Sequence, residues 1–413
     1  HALSGYLFVA KAQDCVKDAH DACEALSRRF DVVVANPPYM GSGSFNPFVA
    51  KWIKKHYPDS CRDLCTAFIE RGYKLAKDRG YAAMVTMQSW MFLGSFERMR
   101  ERMIERAGIV SMAHIGPRAF DAIGGEVVNV TAAVLHNAPL AGEGSYIRLV
   151  DIAGSEPKRA ALLEAVRNPD CGWFHRADAS TFHDIPGSPI AYWASEGLLT
   201  AFSTGQKVKD VCRPTAGIRT GDNEQFLRLW WEPSTSAFYN PSLGTDESNR
   251  NKARWFPCTK GGPFRKWYGN LEYALDWEDD GRRLRKFPGC DNAGTSYFFQ
   301  LGCTWSTISS SKISLRLTPK GCTYEHCGSA MFSQDINALI SCAALQNSSI
   351  GDQVHSILSP SLSFREASVG NFPLALPDNL DSIVKLATSN ISYSKTDWDS
   401  QETSWGFKRN PLV

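Results

Sequence analysis

The stretch Asp31-Val-Val-Val-Ala-Asn-Pro-Pro-Tyr-Met40 (DVVVANPPYM) decides the fold of the amino-terminal part of this sequence. Its valines form a continuous apolar run of strand length, which is typical of a strand covered on both faces of a sheet. Asn36, Pro37, Pro38 and Tyr39 then end the strand, because proline cannot donate a backbone hydrogen bond to a neighbouring strand. The stretch therefore predicts a buried strand that stops at a stiff turn.

Helices and apolar strands alternate around this stretch. The spacing predicts helices over 14–29, 62–78 and 94–108, and strands over 81–87, 109–115, 127–135 and 145–152. Gly80 stands where a glycine commonly ends a helix. We expect an α/β domain over residues 1–152, with a mainly parallel, doubly wound (Rossmann-like) sheet. Ligands bind beyond the carboxyl ends of the strands in such sheets, so residues 36–39 lie where a functional site is expected.

The remaining sequence differs in composition and in the length of its apolar runs. Residues 153–205 hold a predicted charged helix over 156–167 and a second over 189–203, and we interpret them as a connector. From 206 to 375, short apolar pieces separated by Gly, Pro, Ser and Asn predict a mixed α/β or β-rich domain. Residues 376–413 are interpreted as the start of a following segment. Because the chain begins at His1 and soon enters a strand, we expect it to be the central segment of a longer protein.

Composition excludes several classes of protein. The chain has 413 residues, 43% of them hydrophobic and 21% charged, which is enough for at least one sizeable core. Its net charge of +2 neither requires nor excludes nucleic acid. No apolar run is long enough to span a bilayer, and no secretory signal pattern opens the chain. The 12 cysteines lack the paired Cys-x2-Cys spacing of a metal site, so we expect reduced thiols, no metal and a cytoplasmic location.

The turn at residues 36–39 has a specific chemical use. The side-chain carbonyl of Asn36 and the backbone carbonyl of Pro37 can accept both hydrogens of one NH2 group. Holding an aryl amine in this way favours a more tetrahedral nitrogen as an electrophile approaches. Tyr39 offers a flat face for stacking the ring that carries the amine. The alternative is a purely structural turn, because Asn-Pro favours turns and a tyrosine after it can simply pack.

The same turn resembles the Asp/Asn-Pro-Pro-Tyr/Phe motif of adenine-N6 methyltransferases, and residues 62–103 and 114–135 resemble later blocks of their catalytic domain. Longer stretches are similar to the PglX family, the adenine-specific DNA methyltransferases of BREX type 1 phage-defence systems: NPPYMGSGSFN (36–46), VTMQSWMFLGSFE (85–97), AFDAIGGEVV (119–128), GIRTGDNEQFLRLWWE (217–232), WFPCTKGGPFRKWYGN (255–270) and DWDSQETSWGF (397–407). This resemblance implies methyl transfer from S-adenosyl-L-methionine, without a metal, to an adenine flipped out of double-stranded DNA. Other phage-defence proteins are implied as further partners.

The resemblance also implies roles for residues beyond the turn. By position, Phe120 would support the second face of the flipped base, although a core phenylalanine is an equally good interpretation. The glycine-rich turn that cradles the cofactor should precede Asn36, yet only Gly5 does, so we expect that turn upstream of His1. Two alternatives stay open. One is a DNA-recognition module with no activity of its own, and the other is a protein-glutamine methyltransferase, since a side-chain amide also presents an NH2 group.

The second domain carries the predicted DNA contacts. Basic side chains beside glycines suit phosphate, aromatic rings can contact bases or sugars, and serine hydroxyls can reach phosphate or base edges. These residues are Lys260, Arg265, Lys266, Trp267, Tyr268, Trp305 and Ser309. The alternative for the aromatic residues is the core of a small β domain. Pro257-Cys258 resembles the nucleophile motif of cytosine-C5 methyltransferases but lies within this basic stretch, which argues against that role.

Overall fold

The computed structural model describes residues 2–119, 128–243, 252–309, 311–360, 363–374 and 380–409. The chain forms two compact units, His1–Ser195 and Glu196–Val413. Phe120, the predicted second support for a flipped base, lies outside the described residues. No helix in the described ranges is both long enough and apolar enough to cross a membrane.

The first unit is built around a six-stranded sheet. Its helices are α1 (Ala2–Ser27), α2 (Pro47–His56), α3 (Leu64–Leu75), α4 (Glu97–Arg106) and α5 (Ser155–Arg167). Its strands are β1 (Phe30–Ala35), β2 (Ala76–Met87), β3 (Gly108–Gly116), β4 (Val130–His136), β5 (Gly144–Arg148) and β6 (Phe174–Ala177), in the order β1-β2-β4-β3-β5-β6. The predicted α/β class is confirmed.

The strand directions differ from the mainly parallel sheet that we expected. β1 runs parallel to β2 and β3 runs parallel to β5, but β4 is antiparallel to both β2 and β3. β6 is antiparallel to β5. A parallel neighbour needs a long crossover, usually a helix, and the sequence predicts no helix between β3 and β4. The sheet is therefore mixed.

One face of this sheet carries the core of the unit. Ile69 of α3 and Met99 and Met103 of α4 pack with Met84 of β2 and with Trp90, which follows that strand. β1, in contrast, is an edge strand that pairs only with β2 among the described residues, and its Val34 is 75% exposed. The prediction that β1 is covered on both faces is thus wrong for the described part of the chain.

Two predicted helix boundaries are also wrong, for local physical reasons. Gly80 lies inside β2 rather than at a helix end. Glycine is needed there for close approach of the strands, because a β-carbon would stand 2.9 Å from the carbonyl oxygen of Asp31 on β1. The helix predicted over 189–203 begins only at Glu196. Before it, Ser188 has a left-handed φ of 47° and Ile190 is fully buried, so this segment is fixed by its packing rather than by helical spacing.

The second unit is mixed α/β, which is one of the two architectures that the sequence predicts. Its helices are α6 (Glu196–Thr204), α7 (Val208–Val211), α8 (Asn223–Phe226), α9 (Glu278–Arg285), α10 (Ile336–Gln346), α11 (Ser349–Leu358), α12 (Glu366–Gly370) and α13 (Leu380–Asp399). Its strands are β7 (Gln206–Lys207), β8 (Arg213–Thr215), β9 (Leu227–Leu229), β10 (Trp255–Thr259), β11 (Tyr273–Asp276), β12 (Gly302–Thr304), β13 (Arg316–Thr318), β14 (Thr323–Tyr324), β15 (Ala330–Phe332) and β16 (Pro373–Leu374).

Two four-stranded sheets organise this unit, in the orders β14-β10-β11-β9 and β13-β12-β15-β8. The carboxyl-terminal helix α13 belongs to the same unit. Its Trp398 packs in one core cluster with Tyr268 and Trp405, and the indole of Trp405 donates to the carbonyl of Leu271 at 3.2 Å. Residues 380–405 therefore help to build the core beside β10 and β11.

Candidate functional site

The Asn-Pro-Pro-Tyr turn begins directly after β1, at the carboxyl end of the strand. Asn36 is exposed and its side chain makes no hydrogen bond with any described residue, whereas Pro37 is buried. The chain after the turn is fixed to the start of α3, because the amide of Leu64 donates to the carbonyl of Met40 at 2.9 Å. The turn therefore presents a free amide side chain from a fixed backbone.

Tyr39 is half-buried, and its hydroxyl is enclosed without a hydrogen-bond partner among the described residues. Burial raises the pKa of Tyr39, and the neighbouring Cys65 thiol raises it further. Burial also raises the pKa of Cys65 to about 12, with the carboxylate of Asp63 acting in the same direction. Both side chains stay neutral at physiological pH. The turn consequently has an uncharged aromatic ring next to Asn36 in sequence.

A buried polar chain lies at the carboxyl ends of β2 and β3. His114 is 3% exposed, and its Nε2 and Nδ1 atoms lie 2.6 Å from Gln88 Oε1 and 2.9 Å from Tyr192 Oη. Burial lowers the pKa of His114 to about 3, and the charges of Arg148 and Lys158 contribute. The ring is therefore neutral. With the amide oxygen of Gln88 as acceptor, Nε2 carries the proton and the Tyr192 hydroxyl donates to Nδ1.

Arg100 fixes the loop that follows β2. Its guanidinium is fully buried and, among the described residues, donates to backbone carbonyls alone, those of Trp90 (2.8 Å), Leu93 (2.7 Å), Gly187 (2.5 Å) and Ser188 (3.0 Å). Sequence reasoning missed this arginine and the chain of Gln88, His114 and Tyr192. Neither group has a spacing that marks it, because both depend on contacts between distant parts of the sequence.

Two grooves flank β1, with volumes of about 540 and 410 Å³. Val34 and Met84 line both, and most of the other side chains in them are apolar. A cofactor with a sulfonium, an amino acid end and a ribose needs several placed polar groups. The described residues supply few of these beside β1, so they do not by themselves complete the cofactor site that the resemblance implies.

In the second unit, two of the predicted DNA contacts are core residues. Trp305 is fully buried, and its indole donates to the carbonyl of Phe364 at 2.8 Å. Tyr268 is 3% exposed. Neither ring reaches a surface on which a base or sugar could lie. For these two residues the alternative interpretation, a core position, is the one that the structure shows.

Several of the other predicted contacts are occupied by bonds within the second unit. Arg265 pairs with Asp397 at 3.1 Å, and the ammonium of Lys266 donates to the carbonyl of Asn347 at 2.5 Å. The backbone amide of Trp267 donates to Leu315, and the hydroxyl of Ser309 accepts from the amide of Ser311. Lys260 lies 4.6 Å above the ring of Tyr273 and is partly exposed. The DNA-binding roles of these residues stay predictions.

The structure gives little support for a nucleophilic cysteine or a metal-binding cysteine in the second unit. Burial raises the pKa of Cys258 to about 12, so its thiol stays protonated and is a poor nucleophile. Glu325, His326 and Cys327 place three ligand-type atoms within 4.8 Å of one another. The His326 ring already contacts the Glu325 carboxylate, and the cations Lys260 and Arg219 act on the Cys327 thiol. Burial raises the pKa of the Cys327 thiol to about 11, so this thiol stays protonated and is a weak metal ligand.

Comparison with known proteins gives these sites a context. Residues 9–120 match the family model of the Eco57I restriction-modification methylase. Over 399 residues, the chain is 40% identical to the adenine-specific methyltransferase PglX of Lacticaseibacillus casei (strain Zhang). The chain is homologous to adenine-specific methyltransferases. The match covers 94% of this chain and 33% of that PglX, and the predicted resemblance to the PglX family is confirmed.

A second relative and one solved structure agree with this. The adenine-specific methyltransferase BrxX of Escherichia coli O9:H4 (strain HS) is 38% identical over 395 residues, which are 94% of this chain and 31% of BrxX. The chain thus spans about one third of the length of these PglX-type relatives. The Type IIL restriction-modification enzyme MmeI, solved in complex with DNA, shares the fold at 12% identity, with a TM-score of 0.57 over 92% of this chain and 51% of MmeI.

Proposed function

We propose that this chain is the amine-holding and DNA-recognition part of an adenine-N6 DNA methyltransferase of the PglX type, which acts in phage defence. The observation that carries the proposal is the turn after β1, where an exposed Asn36 without a hydrogen-bond partner among the described residues precedes the neutral ring of Tyr39. The homology to PglX and BrxX supports the same activity. The methyl donor in this proposal is S-adenosyl-L-methionine.

The proposed chemistry assigns a task to each residue of the turn. Asn36 Oδ1 and the Pro37 carbonyl accept the two N–H bonds of the adenine N6 amine. This localises the nitrogen lone pair, which the aromatic ring otherwise delocalises. Tyr39 stacks on the base after it has left the duplex. The bound cofactor would supply an electrophilic methyl group, and its glycine-rich cradle remains a prediction for sequence upstream of His1.

The proposed substrate is double-stranded DNA. MmeI, which shares the fold of both units at low identity, was solved bound to DNA. The second unit is proposed to select the site, whereas residues 1–152 hold the base. Other proteins of the defence system are proposed as further partners, and the cytoplasm as the location.

The central test is substitution of Asn36 in the full-length protein. Asn36→Ala removes one of two acceptors for the amine, and losing one such group typically slows an enzyme by about 100-fold or more. Asn36→Asp keeps an acceptor oxygen and should retain measurable activity. Mass spectrometry of digested duplex DNA measures N6-methyladenine directly.

Asn46→Ala is a matched control. The Asn46 side chain caps α2 by accepting from the amide of Val49 at 2.8 Å, so this variant should lose about 1 kcal/mol of stability but no activity per folded molecule. Undiminished methylation by Asn36→Ala would contradict the proposed role. Methylation of glutamine in a protein substrate, with none of adenine, would favour the glutamine methyltransferase alternative.

A further inference from the structure

Four loops of the second unit meet in space, and we call them the recognition loops: 217–222 after β8, 260–266 after β10, 305–309 after β12, and 326–328 between β14 and β15. Backbone hydrogen bonds join them. The amide of His326 donates to the carbonyl of Ile218 at 3.0 Å. The amide of Thr307 donates to the carbonyl of Cys327, also at 3.0 Å. The hydroxyl of Ser306 donates to the carbonyl of Gly262 at 2.9 Å.

Glycine is required where the recognition loops touch. Gly261 has a φ of 83°, and a β-carbon there would stand 2.7 Å from the carbonyl oxygen of Cys327. At Gly217, a β-carbon would stand 2.4 Å from the carbonyl oxygen of Tyr324, at the end of β14, which leads into the loop 326–328. Any larger residue at either position would force the loops apart. The loops therefore pack backbone against backbone.

A buried arginine, Arg316, links two of the recognition loops. Arg316 is 1% exposed, and its guanidinium donates to the Ser306 hydroxyl at 3.4 Å and to the Arg265 carbonyl at 3.3 Å. It thereby joins the loop 260–266 to the loop 305–309. Groups held in this way lose little conformational freedom when they bind a partner. The recognition loops are preorganised.

The exposed side chains of these loops are basic or apolar. Arg219 is exposed, and its backbone is fixed by reciprocal hydrogen bonds with Asp291 at 3.0 and 2.9 Å. Its guanidinium has no carboxylate partner among the described residues, unlike that of Arg265. Ile308 is 73% exposed. An unpaired guanidinium and an exposed aliphatic group on rigid loops are suited to a partner with both acceptor and methyl groups.

The electrostatics place Arg219 and Lys260 near one point. Burial raises the pKa of the Cys327 thiol to about 11 and the Glu325 carboxylate raises it further, while the positive charges of Lys260 and Arg219 act in the opposite direction. Two cations from different loops thus act on the same side chain. Such a pair attracts a polyanion such as the phosphate backbone of DNA.

We infer that the recognition loops read base edges in the major groove of duplex DNA, with Arg219 and Ile308 as specificity-determining residues. This rests on the proposed function. The guanidinium fork of Arg219 matches the two acceptors of a guanine edge, and Ile308 offers an apolar contact for a thymine methyl group. Lys260 serves the nearby phosphates. Arg265 and Lys266, predicted from the sequence to bind phosphate, are not needed for this inference, because their charged groups have partners within the unit.

The test uses the full-length protein and a library of duplexes of randomised sequence, from which bound molecules are selected and sequenced. Arg219→Ala should abolish the preference at one base pair and weaken binding of the best site roughly 5- to 150-fold. Arg219→Lys should keep the salt dependence but not the full preference, since lysine lacks the bidentate fork. Ile308→Ala, at an exposed position, should relax the preference at a different base pair.

Arg213→Ala is the matched control, because Arg213 is an exposed arginine at the start of β8, the strand that leads to the loop of Arg219. It should leave the selected sequence unchanged. Two results would overturn the inference: an unaltered preference in Arg219→Ala, or a uniform loss over all sequences with a salt slope reduced by about one, which marks a phosphate contact.

The outcomes also separate this inference from the proposed function. A wild-type protein that selects a DNA sequence but never methylates it would contradict the proposed function and leave the recognition loops to be judged by the variants. Adenine methylation with a sequence preference that Arg219→Ala does not change would contradict the recognition loops alone.

Discussion

Replacing Arg100 by methionine should destabilise the first unit by about 3–5 kcal/mol, because buried carbonyl acceptors are left without a donor. The guanidinium is fully buried and donates to the carbonyls of Trp90, Leu93, Gly187 and Ser188. Methionine has a similar length but no donor, so all four carbonyls lose this partner. The Leu93 carbonyl keeps the Phe96 amide as a donor at 3.0 Å, which leaves three carbonyls without a side-chain donor in the described part of the chain. Each buried carbonyl without a partner costs about 1–3 kcal/mol, which gives about 3–9 kcal/mol before compensation.

Two effects reduce that sum. Removing the guanidinium also removes its desolvation cost, which is several kcal/mol for a buried ion and which lowers the pKa of Arg100 to about 10. Water can also reach Leu93 and Gly187, because their bonds to Arg100 are only partly buried. The expected net loss therefore lies near the lower end of the sum.

Urea denaturation followed by tryptophan fluorescence measures this loss, since Trp90 lies in the same core. Arg98→Met is the matched control. Arg98 is an exposed arginine on the same helix, α4, and its replacement should change the free energy of unfolding by less than about 0.5 kcal/mol. A loss below about 1 kcal/mol for Arg100→Met would refute the reasoning, because it would show that the four carbonyls find other partners at little cost.

Three further predictions concern the site and its surroundings. Tyr39→Phe should keep methylation and leave the free energy of unfolding equal or about 0.5–2 kcal/mol higher, because the enclosed hydroxyl has no partner among the described residues. Tyr39→Ala should lose methylation. Methylation assays of both variants, with denaturation of Tyr39→Phe, check this. Since the folded pKa of His114 is about 3 and the unfolded value about 6.5, its contribution is complete above pH 6.5 and is lost as the pH falls, by about 2 kcal/mol at pH 5. Denaturation above pH 6.5 and at pH 5 should show that His114→Gln loses less free energy of unfolding between the two conditions than the wild type does. A variant of the exposed His20 should lose as much as the wild type. Calorimetry should show no binding of S-adenosyl-L-methionine to residues 1–413 alone, and clear binding would contradict the expected upstream cradle.

Local patterns in the sequence were sufficient for much of the first unit. The valines of β1, the turn at 36–39 and the alternation of helices and strands each depend on neighbours within a few residues, so they could be read without the fold. The same holds for the change in composition near residue 206. The family resemblance came from blocks of the same kind and was confirmed.

The tertiary structure decided the features that join distant residues. The direction of β4, the exposure of Val34 and the buried position of Trp305 depend on which strands pair and which faces are covered. An aromatic residue beside lysines suits a DNA surface and a core equally well in sequence, and only packing separates the two. Likewise, Arg219 and Arg265 are the same residue type, and the sequence alone does not distinguish them. One is exposed on a loop without a carboxylate partner in the described chain, while the other is paired with Asp397, 132 residues away. The sequence shows which residues are charged, but the fold decides whether a charged group is free to bind a partner.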